Sequence, residues 1–584
     1  MFDKKVNNLL GSSEETTENQ FLKEGMKETS VVQSGNGAKK YSTSGNDFVD
    51  NFAAISYFKE PRSYKEVAKD MELLWSLDPK LCLKLAVYIR LITRKSKVVK
   101  DDGSIEELEV QRGSGLRHEG IMRMLWLAIN QPKTFKANFA YFIAAGSWKD
   151  VFQMLSLDLQ YHGWKGRKLD WNFFFLVIVA GFTNPETTHL VRKYMPTIRT
   201  NKNCKTVESQ ADTLIGRWIA RKFFPGLEKE SAYKAYRKMK SEGKAHEWQQ
   251  LISKQLYDKI NFDHIAGRAL AILVGSEFLK NHNLTEKYSK WIQSKPVAKY
   301  TGFVFELFTP LGSGYRCQHI EDYKENTINA QFAQLVKTGK EGVNTNSKLL
   351  VVRDTSSSMT SKARGCNVSA YDIGKSMALY FSEFLAGPFA NSFAEFADKC
   401  KLHQWKGNTP VDKYINDRCE AYGGTNFQSV IDLFINLKQR GVAEEDFPTG
   451  LLLVSDGELS PSGNGWHGPA NTSTNFQTAI KRLKKAGFSE EYVKNFKIIM
   501  WDIPNYYYGK DNAVKFEDFA DAEGFFYLSG YDPSVVSFIL GGDKPEIRVP
   551  KNAEELFMVA MNQTLLNKLQ VVVNKPKRKT SKKK

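Results

Sequence analysis

A chain of 584 residues, 42% hydrophobic and 12% aromatic, is too long for one core and too apolar to be disordered. Three or four domains, or a repeat array plus one domain, are expected. Lys and Arg outnumber Asp and Glu by 83 to 65, a formal charge of +18, which attracts polyanions in a salt-dependent way; a plain solubility role accounts for it equally well.

Seven of the basic residues fall in positions 575–584, and +11 remains without them. The six cysteines (Cys82, Cys204, Cys317, Cys366, Cys400, Cys419) show no CxxC spacing, which argues against a zinc finger, a zinc ribbon and a disulfide framework. The first ten residues are charged where a signal peptide needs its apolar run, and no stretch approaches the roughly 20 apolar residues of a membrane span. A reduced intracellular protein is expected, cytoplasmic or carried to the nucleus by its basic tail, and off the membrane.

In chain order, residues 1–45 are polar and without period and read as a flexible arm. Residues 61–93 space their apolar positions helically, with a break at Asp78-Pro79, and the charged stretch 95–111 reads as a hairpin or loop. Helices are expected over 119–130, 133–145, 148–162, 171–182, 185–194, 208–224, 230–240, 246–257 and 264–281. Short turns join them, which fits an all-α, HEAT-like array over 46–345. From 346 to 570 the rhythm changes. Apolar strands at 348–354, 450–456, 496–502 and 524–529 alternate with helices at 370–386 and 476–486, predicting a parallel, doubly wound α/β sheet. Residues 571–584 form a basic tail, in which 576–579 reads as a nuclear address, a nonspecific nucleic-acid clamp or a plain disordered end.

Three loops at strand ends or glycine turns then stand out. Asp354, Ser356 and Ser358 follow the first strand, Thr425 follows a Gly-Gly turn, and Asp456 ends the second strand. Hard oxygens of this kind suit Mg²⁺ or Mn²⁺: serines two apart aim both hydroxyls at one ion, Thr425 adds a third, and the aspartates supply charge. In doubly wound sheets ligands gather at the carboxyl ends of strands, where Asp354 and Asp456 fall. Each piece alone is common, and a Ser-Asp-Gly turn also caps helices. Nothing nearby supplies a nucleophile, base and orienting group, so no catalysis is expected.

The order Asp354, Ser356, Ser358, then Thr425, then Asp456 resembles the von Willebrand factor A pattern, with Met359 as in its intracellular members. That resemblance implies a metal-ion-dependent adhesion site with one position open to an acidic group of a protein partner. A helical array followed by such a domain is similar to the Ro autoantigen family with its TROVE module, and to a related family of uncharacterised eukaryotic and viral proteins. Arg112-Gly-Ser-Gly-Leu-Arg117, Gly146-Ser-Trp-Lys-Asp150, Tyr194-Met-Pro196, Tyr236-Arg237 and Ser529-Gly-Tyr-Asp532 look like signatures of the latter. The resemblance implies a monomeric ring of helices closed by the A domain. It also implies that single-stranded ends of structured or misfolded noncoding RNA thread the ring. The basic tail and the loop at 95–111 depart from it.

Among the helices, Arg217, Arg221 and Lys222 cluster on neighbouring ridges, with Arg199, Lys202 and Lys205 upstream; they are the candidate RNA contacts. A solvated face with Trp218 in the core explains them as well. Function therefore reads as a non-enzymatic RNA-binding ring protein, or alternatively as a scaffold docking an acidic partner through the metal site.

Overall fold

The computed structural model describes residues 20–100, 103–200, 203–242, 247–294, 300, 302–341, 348–385, 389–461, 473–509, 513–540 and 549–572. A helical region runs from Asp47 to Lys340 and an α/β region follows it. No helix among the described residues is long and apolar enough to cross a membrane.

Local chemistry sets the helical boundaries. The break foreseen at Asp78-Pro79 separates the helices Tyr64–Leu77 and Pro79–Arg90. The Asp78 carboxylate accepts from the amides of Lys80 and Leu81 at 2.8 and 3.0 Å, and Pro79 occupies a first-turn position that needs no amide donor. The stretch 133–145 is two helices, Pro132–Ala137 and Phe139–Ala145. Asn138 sits between them because its side chain is committed elsewhere, donating to Gln570 O and accepting from Gln570 N. The segment after Ser253 is mostly short turns rather than one helix reaching residue 257. The charged stretch is a hairpin of strands Arg94–Val99 and Ile105–Gln111.

The ten strands in chain order are β1 (Val31–Gln33), β2 (Lys39–Tyr41), β3 (Arg94–Val99), β4 (Ile105–Gln111), β5 (Leu349–Asp354), β6 (Ser392–Phe396), β7 (Cys400–Gln404), β8 (Gly450–Ser455), β9 (Lys497–Asp502) and β10 (Phe525–Ser529). The main sheet has the order β10-β9-β8-β5-β6-β7. Five strands are parallel, but β7 turns back antiparallel on β6, so the sheet is mixed rather than all parallel. Strand order reverses between β5 and β8. In doubly wound sheets a reversal of this kind opens a crevice beyond the carboxyl ends of the two strands.

Every residue of the helix Ala370–Ser382 is buried. One side packs on β5 and β8, the other on the helix Val304–Phe308 and its neighbours. A helix enclosed on all sides must satisfy its polar groups internally. Asp372 does so by accepting from Ser313 Oγ and from Gly314 N at 2.7 Å, and Lys375 Nζ by donating to Gly314 O at 3.2 Å. These bonds tie the late helices to the α/β region.

The early helices are tied to it by the chain termini. The expected flexible arm is instead ordered from Gln20: a helix to Thr29 and the β1–β2 hairpin, which joins Phe516 through Tyr41. Phe48 and Phe52 pack on Phe557. At the other end, Gln563 exchanges two hydrogen bonds with the backbone of Arg112 at 2.6 and 2.8 Å, and Val572 N donates to Thr134 Oγ1 at 3.0 Å. The boundary expected at residue 570 therefore falls within a packed segment. Both ends of the helical region contact the α/β region, and one contiguous core runs from Tyr41 to Leu569. A smaller cluster around Ile260, Phe262, Leu270 and Tyr288 stands beside it. The basic tail from 573 onward lies outside the described residues, as does the Trp466–His467 part of the long loop after Leu459.

Candidate metal centre and basic cleft

The five residues predicted to ligate a metal come together at the β5–β8 switch point. Asp354 ends β5 and is fully buried; its Oδ1 accepts from Ser356 N at 2.8 Å and its Oδ2 from Ser455 Oγ. Ser455 stands next to Asp354 because β5 and β8 run in register from Leu349–Gly450 to Arg353–Val454. The loop then turns so that Ser356 Oγ and Ser358 Oγ lie 3.0 Å apart. The Thr425 loop is laced onto it by Tyr422 N donating to Thr355 O at 2.8 Å and Ser357 Oγ donating to Gly423 O at 3.1 Å. Asp456 faces the same point, and Asn505 Nδ2 bridges its Oδ2 (2.7 Å) to Ser358 O (2.9 Å).

Electrostatics at this point disfavour two charged carboxylates. Burial, and then the neighbouring Asp456, push the Asp354 carboxyl up to about 7, and burial raises Asp456 as well. Two carboxyls taken out of water side by side oppose each other's ionisation, and a hard cation between them relieves both costs. The donor set of two carboxylates and three hydroxyls fits Mg²⁺ or Mn²⁺.

Several neighbours surround the cluster, among them Glu458, whose part in the site the sequence leaves open. Asp502, at the end of β9, is half-buried, and loss of water around its carboxyl lifts it to about 8. Glu458 is engaged elsewhere: its Oε2 accepts from Gly35 N and its Oε1 lies 3.5 Å from Lys515 Nζ. The tip of the β1–β2 hairpin covers the site. Asn36 Nδ2 reaches Thr425 Oγ1 at 3.4 Å and also donates to Glu458 O, while its Oδ1 accepts from Tyr508 OH. Gly35 has to be glycine here, since a Cβ would lie 2.5 Å from the Tyr508 ring. The Ser34-Gly-Asn-Gly37 run was the available signal; it announces a turn, not its docking place. Truncating Asn36 to Ala removes these bonds, at a cost of about 1–2 kcal/mol to hairpin docking. Amide exchange of residues 31–41 is expected to quicken while that of β5 and β8 stays unchanged.

Of the candidate RNA residues, Arg199, Arg217, Arg221 and Lys222 lie on or against the helix Val207–Phe223. Arg199 pairs with Asp212 at 3.3 Å, Arg217 lies over the Tyr233 ring, and Trp218 packs against Trp171. Lys205, Arg221 and Lys222 are exposed, and Lys202 lies outside the described residues. None of them lines the cleft walled by Lys59, Arg117 and Arg268. That cleft, about 330 Å³, opens where early helices, late helices and the α/β region meet, and Lys59, Arg117 and Arg268 line it with Phe58, Tyr300 and Phe303. Arg117 and Arg268 keep 45% and 55% of their side chains exposed, beyond their contacts with Asp150 and Glu306. Lys59 stands over Phe303 at 4.5 Å. Asp532 is the cleft's acid.

Fold and site thus define a helical region docked on an α/β domain that carries a hydroxyl–carboxylate cluster at its strand ends. A family model described as a domain of unknown function (DUF7788) matches residues 348–579, the α/β part and the segment after it. No curated protein matches the chain. Among solved structures, the Ro (RSR) protein of Deinococcus radiodurans is similar over 72% of this chain and 87% of that one, at 13% identity and a TM-score of 0.28. A likeness that loose carries no argument about function.

Proposed function

We propose that the chain is a non-enzymatic RNA-binding protein that takes single-stranded RNA ends into the basic cleft. Its α/β part is a von Willebrand factor A-type domain closing the helical array into a ring, with Mg²⁺ or Mn²⁺ held by Asp354, Ser356, Ser358, Thr425 and Asp456. The observation that carries this reading is the pairing of the exposed Arg117 and Arg268 guanidinium groups with the partly open Phe303 ring in one cleft. Phosphates need positive charge, and unpaired bases need flat apolar faces; together these bind single strands without reading sequence. The volume suits about one nucleotide. The bound ion would orient the three loops and offer a carboxylate of a protein partner a ligand position once the Asn36 tip moves aside.

The test is binding of the full chain to a hairpin RNA with a single-stranded 3′ tail, against the same hairpin blunt-ended, across a salt series. Tail-dependent binding is expected, with Arg117→Gln and Arg268→Gln each lowering the log–log salt slope by roughly 0.7. Equal binding to both RNAs would move the contact to the tail after residue 572. No binding to either would favour the second reading, a protein scaffold, which rests on the hydroxyl–carboxylate cluster beneath the Asn36 tip.

A further inference from the structure

A second cluster with metal-ligand chemistry lies on the other wing of the sheet, at the β6–β7 edge. β6 and β7 pair Phe393 with His403 and Glu395 with Lys401, so Glu395 and His403 share a face two residues apart. The segment after the helix Pro410–Asn416 brings Cys419 over that face. His403 Nε2 is 3.2 Å from Glu395 Oε1 and 3.9 Å from Cys419 Sγ, and the three ligand atoms all lie within 4.8 Å of one another.

We propose that Glu395, His403 and Cys419 form a zinc-class metal site, separate from the hydroxyl–carboxylate centre and independent of the RNA reading. Bond lengths to zinc of about 2.0–2.3 Å in a tetrahedron put neighbouring ligand atoms roughly 3.3–3.6 Å apart. The observed 3.2 and 3.9 Å bracket that separation, so small side-chain shifts suffice. Thiolate, imidazole and carboxylate together select a borderline-soft ion, not the hard Mg²⁺ of the first site.

Independent support comes from Glu395. Its side chain is 4% exposed, yet Oε2 has no hydrogen-bond partner. A buried carboxylate oxygen left unpaired is costly, and a cation is a natural partner. His403 is held in place by stacking on Phe393, centroids 5.2 Å apart and planes 19° from parallel.

Two positive groups are near, and neither blocks the site. Arg353 lies across the strand from Glu395 but is bound by both oxygens of Asp417, at 2.5 and 3.2 Å. Lys401 lies 3.6 Å from Glu395 with 56% of its side chain exposed, so it swings out readily. Glu395, His403 and Cys419 all line a cleft of about 480 Å³, which leaves room for an outside ligand beside them. Three protein ligands with one open position is the arrangement of zinc sites that accept an outside ligand. The ligands come from a strand pair and a separate loop, which is why cysteine spacing alone offers no hint of them.

The test is titration of the chelator-stripped full chain with Co²⁺, whose bond to a thiolate gives a charge-transfer absorption that oxygen ligands do not. One equivalent should produce that band, and Zn²⁺ should abolish it by displacement. Cys419→Ser should remove the band, and His403→Gln, at the half-exposed sheet edge, should weaken zinc binding about 100-fold or more with the fold checked by circular dichroism. Asp354→Asn should leave the band intact. Absence of the band in the unaltered chain, or its survival in Cys419→Ser, would overturn the proposal. His403→Gln, which keeps every cysteine, decides the matter if Cys419→Ser does not fold: a band and zinc affinity unchanged there would overturn it equally.

Discussion

Asp417→Ala is expected to destabilise the α/β region by about 3–5 kcal/mol, the cost of stripping a buried charge of its partner, read as a lower denaturation midpoint. Arg353 is fully buried in the centre of the sheet, its guanidinium near the rings of Tyr371 and Phe393. Asp417 answers it with two oxygens, and Lys375 Nζ lies 3.9 Å from the same carboxylate. Removing Asp417 therefore strands two buried cations, whereas the double change Arg353→Met with Asp417→Ala leaves only one to be accommodated and should recover part of the loss. The pH dependence carries the same signature. Burial alone would raise the Asp417 carboxyl, but the Arg353 charge outweighs it and holds the group at about 2, below its ordinary 3.8. A carboxyl lowered in the folded state binds its proton more weakly there than in the unfolded chain. Its stabilisation is complete above about pH 4 and disappears as pH falls through about 2. The Ala variant should lose that component of acid unfolding.

Asp354→Asn is expected to act in opposite directions on two measurements. Mn²⁺ affinity, followed by calorimetry, should fall about 100-fold or more, beyond what loss of an outer neighbour costs. The melting temperature of the metal-free protein should rise, because the substitution removes a carboxyl that burial, and then the neighbouring Asp456, drive upward. A purely structural Asp354 would instead lose stability on substitution and leave Mn²⁺ binding unchanged. Ser356→Ala serves as the companion: it should weaken Mn²⁺ binding without the rise in melting temperature, since it removes a hydroxyl and no charge.

The metal-loop residues were legible because their signals are local. Asp354, Ser356 and Ser358 share one turn, and Asp354 and Asp456 each end a run of buried apolar residues. Strand ends are where such loops must lie, so placement followed from pattern. β6 and β7 escaped notice for equally physical reasons. β6 buries Glu395 among apolar residues, and β7 is an edge strand whose Lys401 and His403 break the apolar run. Thr425 was found through its glycines, while Asn505, which bridges Asp456 to Ser358, carries no pattern of its own.

What the sequence determined by itself is most of the helices and four of the sheet's six strands: helices from 3.6-residue spacing and caps such as Asp78, strands from short apolar runs, and the acids that end them. These depend on neighbours within a few residues. Only the tertiary structure decided which distant segments meet. The polar stretch before residue 45 lacks any period, yet Gly35 and Asn36 dock on Glu458, more than 400 residues away. Arg117 and Arg268 join one cleft because both ends of the helical region settle on the same α/β domain. Contacts of that kind depend on shape and charge matching between finished surfaces, which no local window of residues encodes.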